Sequence, residues 1–367
     1  MHGARAYAVG GCVRDSLMGK TPSDWDITCS CSPEKTLEIF EAEGIRTIPT
    51  GLKHGTVSVI IDGEVFECTT HRVDGSYTDS RRPDSVQFTQ RLEDDLSRRD
   101  FTVNAMAANP SGEIFDAFGG MSDLDSRIIR CVGDPKTRFT EDALRILRAL
   151  RFATVLDFEI EGDTLCAARL LSHTLENISA ERKTVELVKL LCSPHADRGV
   201  SLLFESGAIK YLLPDAENMP TNLLILEGLP AHRLAALMWQ TNSRDLSLLR
   251  LSNSQKSDVK SLLTPITQAD TDEGARRALA RYKHLAIAAA KLQSRDLLAE
   301  KIAEQAALDP PVSVRDLAVG GDDLLALGVE KRLLGGMLSY LLDCVFTDPS
   351  FNTKERLLSL AKEKFSV

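Results

Sequence analysis

The sequence predicts an α/β domain followed by an all-helical remainder, and three observations support this fold class. Short runs rich in valine and isoleucine, separated by glycine-containing turns, are concentrated in the first 120 residues. From Ser122 onward, leucine and alanine recur with helical spacing to the end of the chain. At 367 residues the chain is also long for a single hydrophobic core, so we expect two or more domains.

The first predicted elements are a strand, a glycine turn and a helix. Tyr7-Ala8-Val9 is a short apolar run that ends at Gly10-Gly11, where positive φ angles and close approach of a ligand are possible. The next amides open a predicted helix over residues 13–18, and a helix N-terminus favours phosphate. Arg14 lies in the first turn of this helix without an evident local role. Pairing with a triphosphate would explain its presence.

Asp24 and Asp26 are the first candidate metal ligands. Residues two apart on a strand share a face, so we expect both carboxylates on one side and Trp25 and Ile27 in the core. Adjacent carboxylates repel each other unless a cation lies between them, and Mg²⁺ binds through one or two carboxylates plus substrate phosphates. A plain turn beginning at Pro22 is the alternative. Gly-Gly-x-Val-Arg-Asp followed nine residues later by Asp-x-Asp is a rare combination that favours the metal site.

A capped helix and a hairpin follow. Ser32 is a suitable cap for a helix that runs to about residue 43. Residues 56–61 and 64–70 are rich in β-formers, and the Asp62-Gly63 pair between them predicts a hairpin. Glu67 lies near the middle of the second strand. It is a candidate third metal ligand; the alternative is an edge-strand glutamate that faces water.

Three further segments complete the predicted sheet domain. Residues 71–91 are polar and aperiodic, as is typical of functional loops. A helix is expected over residues 96–107, on which Asp100 and Asn104 share a face because they are four residues apart. A last strand ends at Asp116, and the domain boundary is expected near residue 120.

The helical part contains one row of charged residues with helical spacing. Residues 141–152 predict a single helix with leucines on one side. Its charged row is Asp142, Arg145, Arg148 and Arg151. Asp142 and Arg145 are three residues apart and would be close on the helix surface. The alternative is a solvated face with ion pairs. Residues 178–187 predict another capped helix, which includes Arg182.

Composition restricts the class of protein. No apolar run reaches membrane-spanning length, and the first residues do not form a signal peptide. The net charge of −9 is mild evidence against a nucleic-acid binder, although a local basic face could still bind a polyanion. The eight cysteines form no Cys-x-x-Cys pair and are interpreted as free cytosolic thiols, without a zinc site or disulfide framework.

Several motifs together resemble those of a known family. They are Gly-Gly-Cys-Val-Arg-Asp (10–15), Asp-Trp-Asp (24–26), Gly-Leu-Lys-His-Gly-Thr-Val (51–57), Phe-Glu-Cys-Thr-Thr (66–70), Arg-Arg-Asp-Phe-Thr-Val-Asn-Ala (98–105), Phe-Asp-Ala-Phe-Gly-Gly (115–120), Arg-Phe-Thr-Glu-Asp-Ala-Leu-Arg (138–145) and Ser-Ala-Glu-Arg (179–182). In this order they resemble the bacterial class II tRNA nucleotidyltransferases, the CCA-adding enzymes of the nucleotidyltransferase (polymerase β-like) superfamily. Residues 317–328 and 352–358 are similar to the family's C-terminal tail.

The resemblance implies a seahorse-like arrangement of four parts. These are a catalytic nucleotidyltransferase head (1–120), a helical neck that recognises the base (121–192), a helical body (193–310) and a helical, tRNA-binding tail (311–367). It also implies a cytoplasmic protein whose partners are tRNA, CTP and ATP, with no membrane and no DNA partner. Family members usually have a helix before the first strand, which we expect to be missing here.

The resemblance implies a role for each candidate residue of the head. Asp24 and Asp26 would hold Mg²⁺, with Glu67 as the third catalytic carboxylate. The metal would activate the tRNA 3′-hydroxyl for attack on the α-phosphate of CTP or ATP. The remaining head residues would bind the nucleotide: Gly10, Gly11 and Arg14 at the phosphates, Asp100 at the ribose 2′-hydroxyl, and Arg99 and Asn104 nearby.

The neck row has a physical logic for selecting bases. Cytosine and adenine each present an amino donor beside a ring-nitrogen acceptor, whereas guanine and uracil present a carbonyl beside an N–H group. A carboxylate (Asp142) that accepts and a guanidinium (Arg145) that donates therefore suit C and A, at roughly 1–3 kcal/mol per good bidentate contact. We expect Arg148 and Arg151 to take part in nucleotide binding, and Glu141, Arg148 and Arg182 to brace the pair.

Other functions remain open from the sequence. An enzyme that adds only A to tRNA, or a poly(A) polymerase, would use the same chemistry. In the family that the sequence resembles, a shortened loop at this place goes with enzymes that stop after CC, so the resemblance and the full-length loop over residues 71–91 together imply that this is not such an enzyme. A catalytically silent RNA-binding relative would be expected to lack one of the three carboxylates. A small-molecule nucleotidyltransferase would not be expected to carry the neck motif or so long a helical part.

Overall fold

The computed structural model describes residues 4–75 and 86–365, which fall into two units. Unit 1 comprises Met1–Met219 with Asp245–Arg250, and unit 2 comprises Pro220–Arg244 with Leu251–Val367. Every candidate site residue belongs to unit 1. The middle of the predicted functional loop, residues 76–85, lies outside the described residues.

Unit 1 begins with a mixed β-sheet. The strands are β1 (Ala6–Val9), β2 (Asp26–Cys29), β3 (Arg46–Gly51), β4 (Thr56–Ile61), β5 (Glu64–Thr70), β6 (Arg72–Asp74), β7 (Val86–Phe88), β8 (Met106–Ala108) and β9 (Ile114–Asp116). Seven of them form one sheet in the order β3-β4-β5-β2-β1-β8-β9, and β6 pairs with β7 separately. Strands β2 and β5 are parallel, whereas the other paired neighbours are antiparallel.

The predicted hairpin is confirmed. Strands β4 and β5 pair from Thr56↔Thr69 to Ile61↔Glu64. Asp62 and Gly63 between them have φ angles of 53° and 86°, as expected for an Asp-Gly hairpin turn. Strand β5 lies between β4 and β2, so Glu67 belongs to an interior strand and not to an edge.

The helices of unit 1 surround the sheet and continue beyond it. They are α1 (Gly11–Leu17), α2 (Pro33–Ala42), α3 (Leu92–Ser97), α4 (Gly120–Asp125), α5 (Pro135–Glu141), α6 (Leu144–Leu156), α7 (Gly162–Leu171), α8 (Ala180–Leu191) and α9 (Ala196–Glu205). The predicted cap of α2 is confirmed, because the Ser32 hydroxyl accepts from Lys35 N. The fold class is confirmed as an α/β sheet followed by helices. A short parallel pair, β10 (Ile128–Ile129) with β11 (Glu159–Ile160), interrupts the helical part.

Two expectations for the sheet domain are wrong in detail. Strand pairing starts at Asp26, so Asp24 precedes the strand, and Trp25 is 42% exposed instead of lying in the core. The helix expected over residues 96–107 does not form. Helix α3 ends at Ser97, a single 3₁₀ turn covers Thr102–Asn104, and β8 follows. The apolar residues here are fully buried because they enter the centre of the sheet domain, so their pattern reflects burial and not helical period.

Unit 2 is helical in its described residues. Its helices are α10 (Pro230–Gln240), α11 (Asn253–Leu262), α12 (Asp272–Tyr282), α13 (Ala286–Leu292), α14 (Asp296–Ala307), α15 (Gly321–Ala326), α16 (Leu334–Thr347) and α17 (Lys354–Phe365). Arg276 of α12 is buried and donates to Phe346 O and Gln305 Oε1, at 2.8 and 2.7 Å. This arginine therefore contributes to the internal packing of unit 2. None of the helices in the described ranges has the length and apolarity needed to cross a membrane.

Candidate active site

The glycine turn after β1 brings its backbone against an arginine. Gly10 has a φ angle of 80°, and its amide donates to Met106 O at 3.2 Å. A Cβ atom at Gly10 would lie 2.8 Å from Nη1 of Arg99. The Nε of Arg99 is buried and has no hydrogen-bond partner in the structure. An unpaired buried donor is costly unless a ligand pairs with it, so the turn and Arg99 together form a candidate anion-binding point.

Arg14 connects helix α1 to the segment before β8. Its Nη1 donates to Asn104 Oδ1 at 2.6 Å, and its Nε donates to Asp15 Oδ1 at 2.8 Å. The side chain is almost fully buried. The expectation that Arg14 has no local role is therefore wrong, because the neighbouring Asp15 pairs with it. The cation is nevertheless held in place beside the glycine turn.

The three candidate carboxylates lie at one edge of the parallel strand pair. Asp26 of β2 is in register with Glu67 of β5, and Asp24 lies two residues before Asp26. All three residues are exposed. Partial shielding of the Asp26 carboxylate from water raises its pKa, Arg99 opposes this effect, and the negative charge of Asp24 adds to it. A bound cation would relieve the repulsion between the two carboxylates.

The carboxylate oxygens of Asp24, Asp26 and Glu67 are of the kind that Mg²⁺ prefers, but the protein supplies only a few ligands. Carboxylate oxygens are its preferred protein ligands, and substrate phosphates and water complete its shell. Across residues 4–75 and 86–365, no group of three or more histidine, cysteine, aspartate or glutamate side chains is arranged to hold a metal ion. A metal at this edge would therefore use one or two carboxylates and take its other ligands from the nucleotide.

Asp100 joins the head to the helices that follow it. Its Oδ1 accepts from Asn104 Nδ2 at 3.2 Å and from Phe101 N at 2.9 Å. Its Oδ2 accepts from Arg148 Nε at 2.7 Å. Burial alone would raise the pKa of Asp100, but the guanidinium of Arg148 and the bond from Asn104 hold it below the ordinary value. Asp100 and Asn104 thus meet as expected, although through a 3₁₀ turn and not on one helix face.

A cavity of about 280 Å³ brings together half of the predicted nucleotide-binding residues. Its lining consists of Arg98, Arg99, Asp100, Asp142, Leu144, Arg145, Arg148 and Arg182. Five arginines and two aspartates face one small space, which gives it a net positive charge. A polar cavity of this kind suits a ligand that combines negative charge with hydrogen-bonding edges.

Asp142 and Arg145, the neck pair, do not lie on the single helix expected over residues 141–152. Asp142 separates α5 from α6, with extended backbone angles of φ −145° and ψ 103°. Its Oδ1 accepts from Leu144 N at 3.0 Å, which caps α6 and explains the break. Both nitrogens of Arg182 bind this carboxylate, at 3.2 and 2.6 Å. Arg145 lies in the first turn of α6, where its Nη1 donates to Glu141 Oε2 at 2.6 Å.

The two other arginines of the row have separate partners. Arg148 was expected to brace Asp142 and Arg145, but it binds Asp100. Arg151 pairs with Glu186 of α8 and does not line the cavity. Both guanidiniums lie over the ring of Phe152. Glu141 and Arg182 are the expected braces, and each contacts one member of the neck pair.

Further residues, which the sequence motifs do not indicate, hold the arginines in place. Asp95 is fully buried and binds Arg98 at 2.8 Å and Arg99 at 3.4 Å. Burial would raise the pKa of Asp95, but the two guanidiniums hold it below its usual value. Arg138 binds Glu141 at 2.8 Å and donates to Ser97 O. The i, i+4 spacing of Asp95 and Arg99 was a signal for the first of these contacts.

Comparison with known family models matches two parts of the chain. The model described as the poly A polymerase head domain matches residues 6–130. A second model, described as the probable RNA and SrmB-binding site of polymerase A, matches residues 157–219. The first match contains the glycine turn, the candidate carboxylates and Asp100.

Individual relatives extend the similarity. The CCA-adding enzyme of Streptococcus thermophilus is 49% identical over 213 residues, which cover 58% of this chain and 52% of that enzyme. The CCA-adding enzyme of Enterococcus faecalis is 35% identical over an alignment that covers 99% of this chain and 93% of the relative. The crystal structure of the Bacillus stearothermophilus CCA-adding enzyme in complex with CTP matches with a TM-score of 0.83 at 33% identity, covering 100% of this chain and 94% of the other.

The aligned segment thus spans about half of the S. thermophilus enzyme and nearly all of the other two relatives. The alignment with the E. faecalis enzyme covers almost all of both chains, so the similarity extends over the sheet domain and the helical remainder. The chain therefore belongs to the CCA-adding enzyme family.

Proposed function

We propose that this protein adds the sequence CCA to the 3′ end of tRNA from CTP and ATP without a nucleic-acid template. The observation that carries the proposal is the polar cavity that contains Asp142 and Arg145. Arg182 binds Asp142, and Glu141 binds Arg145. The Asp100–Arg148 pair lines the same cavity. The named relatives are CCA-adding enzymes, and one of them was crystallised with CTP.

Base selection is assigned to the braced neck pair. Arg182 fixes the plane of the Asp142 carboxylate through two hydrogen bonds, which leaves acceptor capacity on Oδ2 for the amino group of C or A. Glu141 fixes the guanidinium of Arg145, which donates to the ring nitrogen of the same base. Guanine and uracil would present a carbonyl to the carboxylate and an N–H to the guanidinium, so both contacts would be repulsive or unmade.

Sugar and phosphate binding are assigned to the head. Asp100 would accept a hydrogen bond from the ribose 2′-hydroxyl, held in position by Asn104 and Arg148. The buried, unpaired Nε of Arg99 and the guanidinium of Arg14, next to Gly10 and Gly11, would contact the triphosphate. These contacts orient the α-phosphate toward the carboxylate edge.

Asp24 and Asp26 would hold Mg²⁺, with Glu67 as the third catalytic carboxylate. When bound, the metal would lower the pKa of the attacking 3′-hydroxyl and neutralise charge on the leaving pyrophosphate. Glu67 lies opposite Asp26 on the neighbouring strand, where its carboxylate can accept a hydrogen bond from the 3′-hydroxyl group and so orient it. Nucleotidyltransferases generally use a divalent metal, and Mg²⁺ is the specific proposal here.

We also propose the four-part division inferred from the resemblance, with head 1–120, neck 121–192, body 193–310 and tail 311–367. The head and neck residues belong to unit 1, whereas most of the body and the whole tail belong to unit 2. In this proposal, the body and tail bind the tRNA.

An extension assay tests the function. Purified protein with Mg²⁺ is given tRNA transcripts that lack CCA, end in CC, or are complete, with each labelled nucleotide alone and with CTP plus ATP. We expect addition of C, C and A, followed by a stop. Addition of A to the CC-ending transcript alone would identify an A-adding enzyme, and unlimited A on any RNA would identify a poly(A) polymerase. Binding of tRNA without incorporation would contradict enzymatic activity.

A further inference from the structure

Three guanidiniums converge on the ring of Phe152. The Cζ atoms of Arg14, Arg148 and Arg151 lie 5.2, 5.3 and 3.9 Å from the ring centroid. All three distances are within the range of a cation–π contact. Phe152 itself is 8% exposed and does not line the nucleotide cavity.

Each of these guanidiniums belongs to a different polar pair. Arg14 binds Asn104, Arg148 binds Asp100, and Arg151 binds Glu186. The ring is therefore a contact shared by three pairs that come from α1, the segment before β8, α6 and α8. Two of the pairs contain residues assigned above to the triphosphate and the ribose.

The arrangement poses an electrostatic problem that an aromatic ring solves. Each guanidinium has a carboxylate partner, but the three positive charges around one buried side chain still repel each other, and repulsion is strong where water is excluded. The negative faces of an aromatic ring attract cations, whereas an aliphatic side chain of similar volume does not. The identity of residue 152 as an aromatic residue thus affects where Arg14 and Arg148 rest before the nucleotide binds.

We propose that Phe152 is a positioning residue for the nucleotide, whose ring holds Arg14 at the triphosphate and Arg148 on Asp100. This inference rests on the proposed function, because it assigns the two arginines to nucleotide binding. Phe152 touches no substrate in this account. It acts by fixing the two arginines in the geometry that the nucleotide requires, which lowers the cost of ordering them during binding.

A packing role for Phe152 has to be separated from this one. The ring also packs edge-on against the fully buried Phe101, with centroids 5.8 Å apart at 77°. Phe152→Leu would leave a cavity and lower stability for that reason alone. Fluorinated phenylalanines avoid the difficulty, because they keep the ring shape while fluorine withdraws the negative charge from its faces.

The test is a series of 4-fluoro-, 3,5-difluoro- and pentafluorophenylalanine incorporated at position 152. We expect the KM for CTP and ATP to rise stepwise with the number of fluorines, by about tenfold across the series, while kcat changes by less than about twofold. Tm should fall along the same series, because the weakened cation–π contacts also stabilise the folded state. The same series at Phe158 is the matched control and should leave KM unchanged, because Phe158 is buried in unit 1 and no guanidinium of the described residues lies over its ring.

Two results would overturn the inference. A KM that does not respond to fluorination at position 152, in a protein whose unmodified form uses CTP and ATP, would refute the positioning role and leave the proposed function intact. Equal changes of Tm and KM at positions 152 and 158 would assign Phe152 to packing. Failure of the unmodified protein to bind or use either nucleotide would overturn the proposed function and the inference together.

Discussion

At the scale of single residues, the site depends on carboxylates that hold arginines. Asp95, Asp100 and Asp142 each bind one or two guanidiniums around the same cavity. Opposite charges close together in a poorly hydrated space keep each other ionised, as the lowered pKa values of Asp95 and Asp100 indicate. Removing one partner leaves the other without its counter-charge, so single substitutions here are expected to affect binding and stability together.

Asp100→Asn is the first case. The amide cannot neutralise Arg148, and we expect a loss of about 1–2 kcal/mol in the free energy of unfolding. The loss is smaller than for a fully buried ion pair because the Arg148 side chain is one-third exposed to water. The KM for CTP and ATP should rise because the proposed ribose contact is weakened. Chemical denaturation and steady-state kinetics measure the two effects.

The matched control for this variant is Asp123→Asn. Asp123 is similarly buried and binds Arg130 and Thr102 away from the cavity. It should lower stability without changing KM. A raised KM in the control, or an unchanged KM in Asp100→Asn, would contradict the role assigned to Asp100.

Arg182→Lys tests the bracing of Asp142. Lysine keeps the positive charge but cannot form the two parallel hydrogen bonds that fix the carboxylate plane. We expect discrimination of CTP and ATP over GTP and UTP, measured as a ratio of kcat/KM values, to fall about tenfold. Arg198→Lys serves as the comparison, because Arg198 donates to Ala153 O and Phe158 O outside the cavity. Equal selectivity in both variants would argue against bracing.

The sequence predicted these residues to different degrees. Asp100, Asp142, Arg145 and Arg182 could be proposed because their motifs resemble those of a family, and the cavity contains all four. The partners within the site were less predictable. Arg148 binds Asp100 across 48 residues of sequence, a pairing that depends on how α6 lies against the head and leaves no local pattern.

At the scale of secondary structure, turns were predictable where a residue type is required by the backbone. The Asp62-Gly63 hairpin and the Ser32 cap follow from such requirements and are confirmed. The helix expected over residues 96–107 is wrong because all apolar residues of this segment are buried, so their spacing follows neither a helical nor a strand period. The break at Asp142 was missed because its cause, a carboxylate that accepts from Leu144 N and two nitrogens of Arg182, is partly a tertiary contact.

The glycine turn between β1 and α1 gives a prediction at this scale. Gly10→Ala introduces a Cβ atom at a φ of 80° and 2.8 Å from Arg99 Nη1. Gly10 combines this φ with a ψ of −131°, which residues other than glycine rarely adopt, so we expect a loss of about 1–3 kcal/mol in stability. The KM for both nucleotides should rise because Arg99 has to move.

Gly63→Ala provides a closely matched control for the glycine turn. Its φ is 86°, and a Cβ there would meet no atom within 4 Å. Both variants should lose stability in thermal melting, Gly10→Ala at least as much as Gly63→Ala because only its Cβ meets another side chain. Gly63→Ala should keep the KM of the unmodified protein. If both variants bind CTP and ATP normally, Arg99 does not contact the nucleotide in the way proposed.

At the scale of the whole molecule, the α/β part followed by helices was predictable from composition and periodicity, and its family from motifs in the first half. The division into two units, with residues 245–250 returning to unit 1, was not predictable, because it depends on which helices pack together and not on local sequence. The short parallel pair β10 and β11 was missed for a similar reason, since two-residue strands carry no periodic signal.

Stability against acid is a property of the folded molecule to which His71 contributes. Burial lowers the pKa of His71, and its Nδ1 lies 2.8 Å from Thr28 Oγ1. The native state therefore favours the neutral ring, while the unfolded chain takes up a proton near pH 6.5. The stability contribution is full above pH 6.5 and declines as the pH falls below it, by up to about 1.4 kcal/mol per pH unit.

His71→Gln removes this proton uptake and can keep a hydrogen bond to Thr28. We expect the free energy of unfolding to decline less between pH 7.5 and 5.5 in the variant than in the unmodified protein, as measured by urea titration at each pH. The half-buried His232 of unit 2 contributes equally to both proteins and cancels in the comparison. Parallel declines in the two proteins would exclude His71 as a source of acid sensitivity.

In the proposed function, side chains of the cavity, and not a nucleic-acid template, select C and A. The most direct measurement is single-turnover incorporation of each of the four nucleotides into tRNA lacking CCA, by the unmodified protein and by Asp142→Ala. We predict that the unmodified protein incorporates CTP and then ATP and rejects GTP and UTP, and that Asp142→Ala loses about 10- to 100-fold of this discrimination. An Asp142→Ala variant that incorporates nucleotides with unchanged preference for C and A would contradict the account.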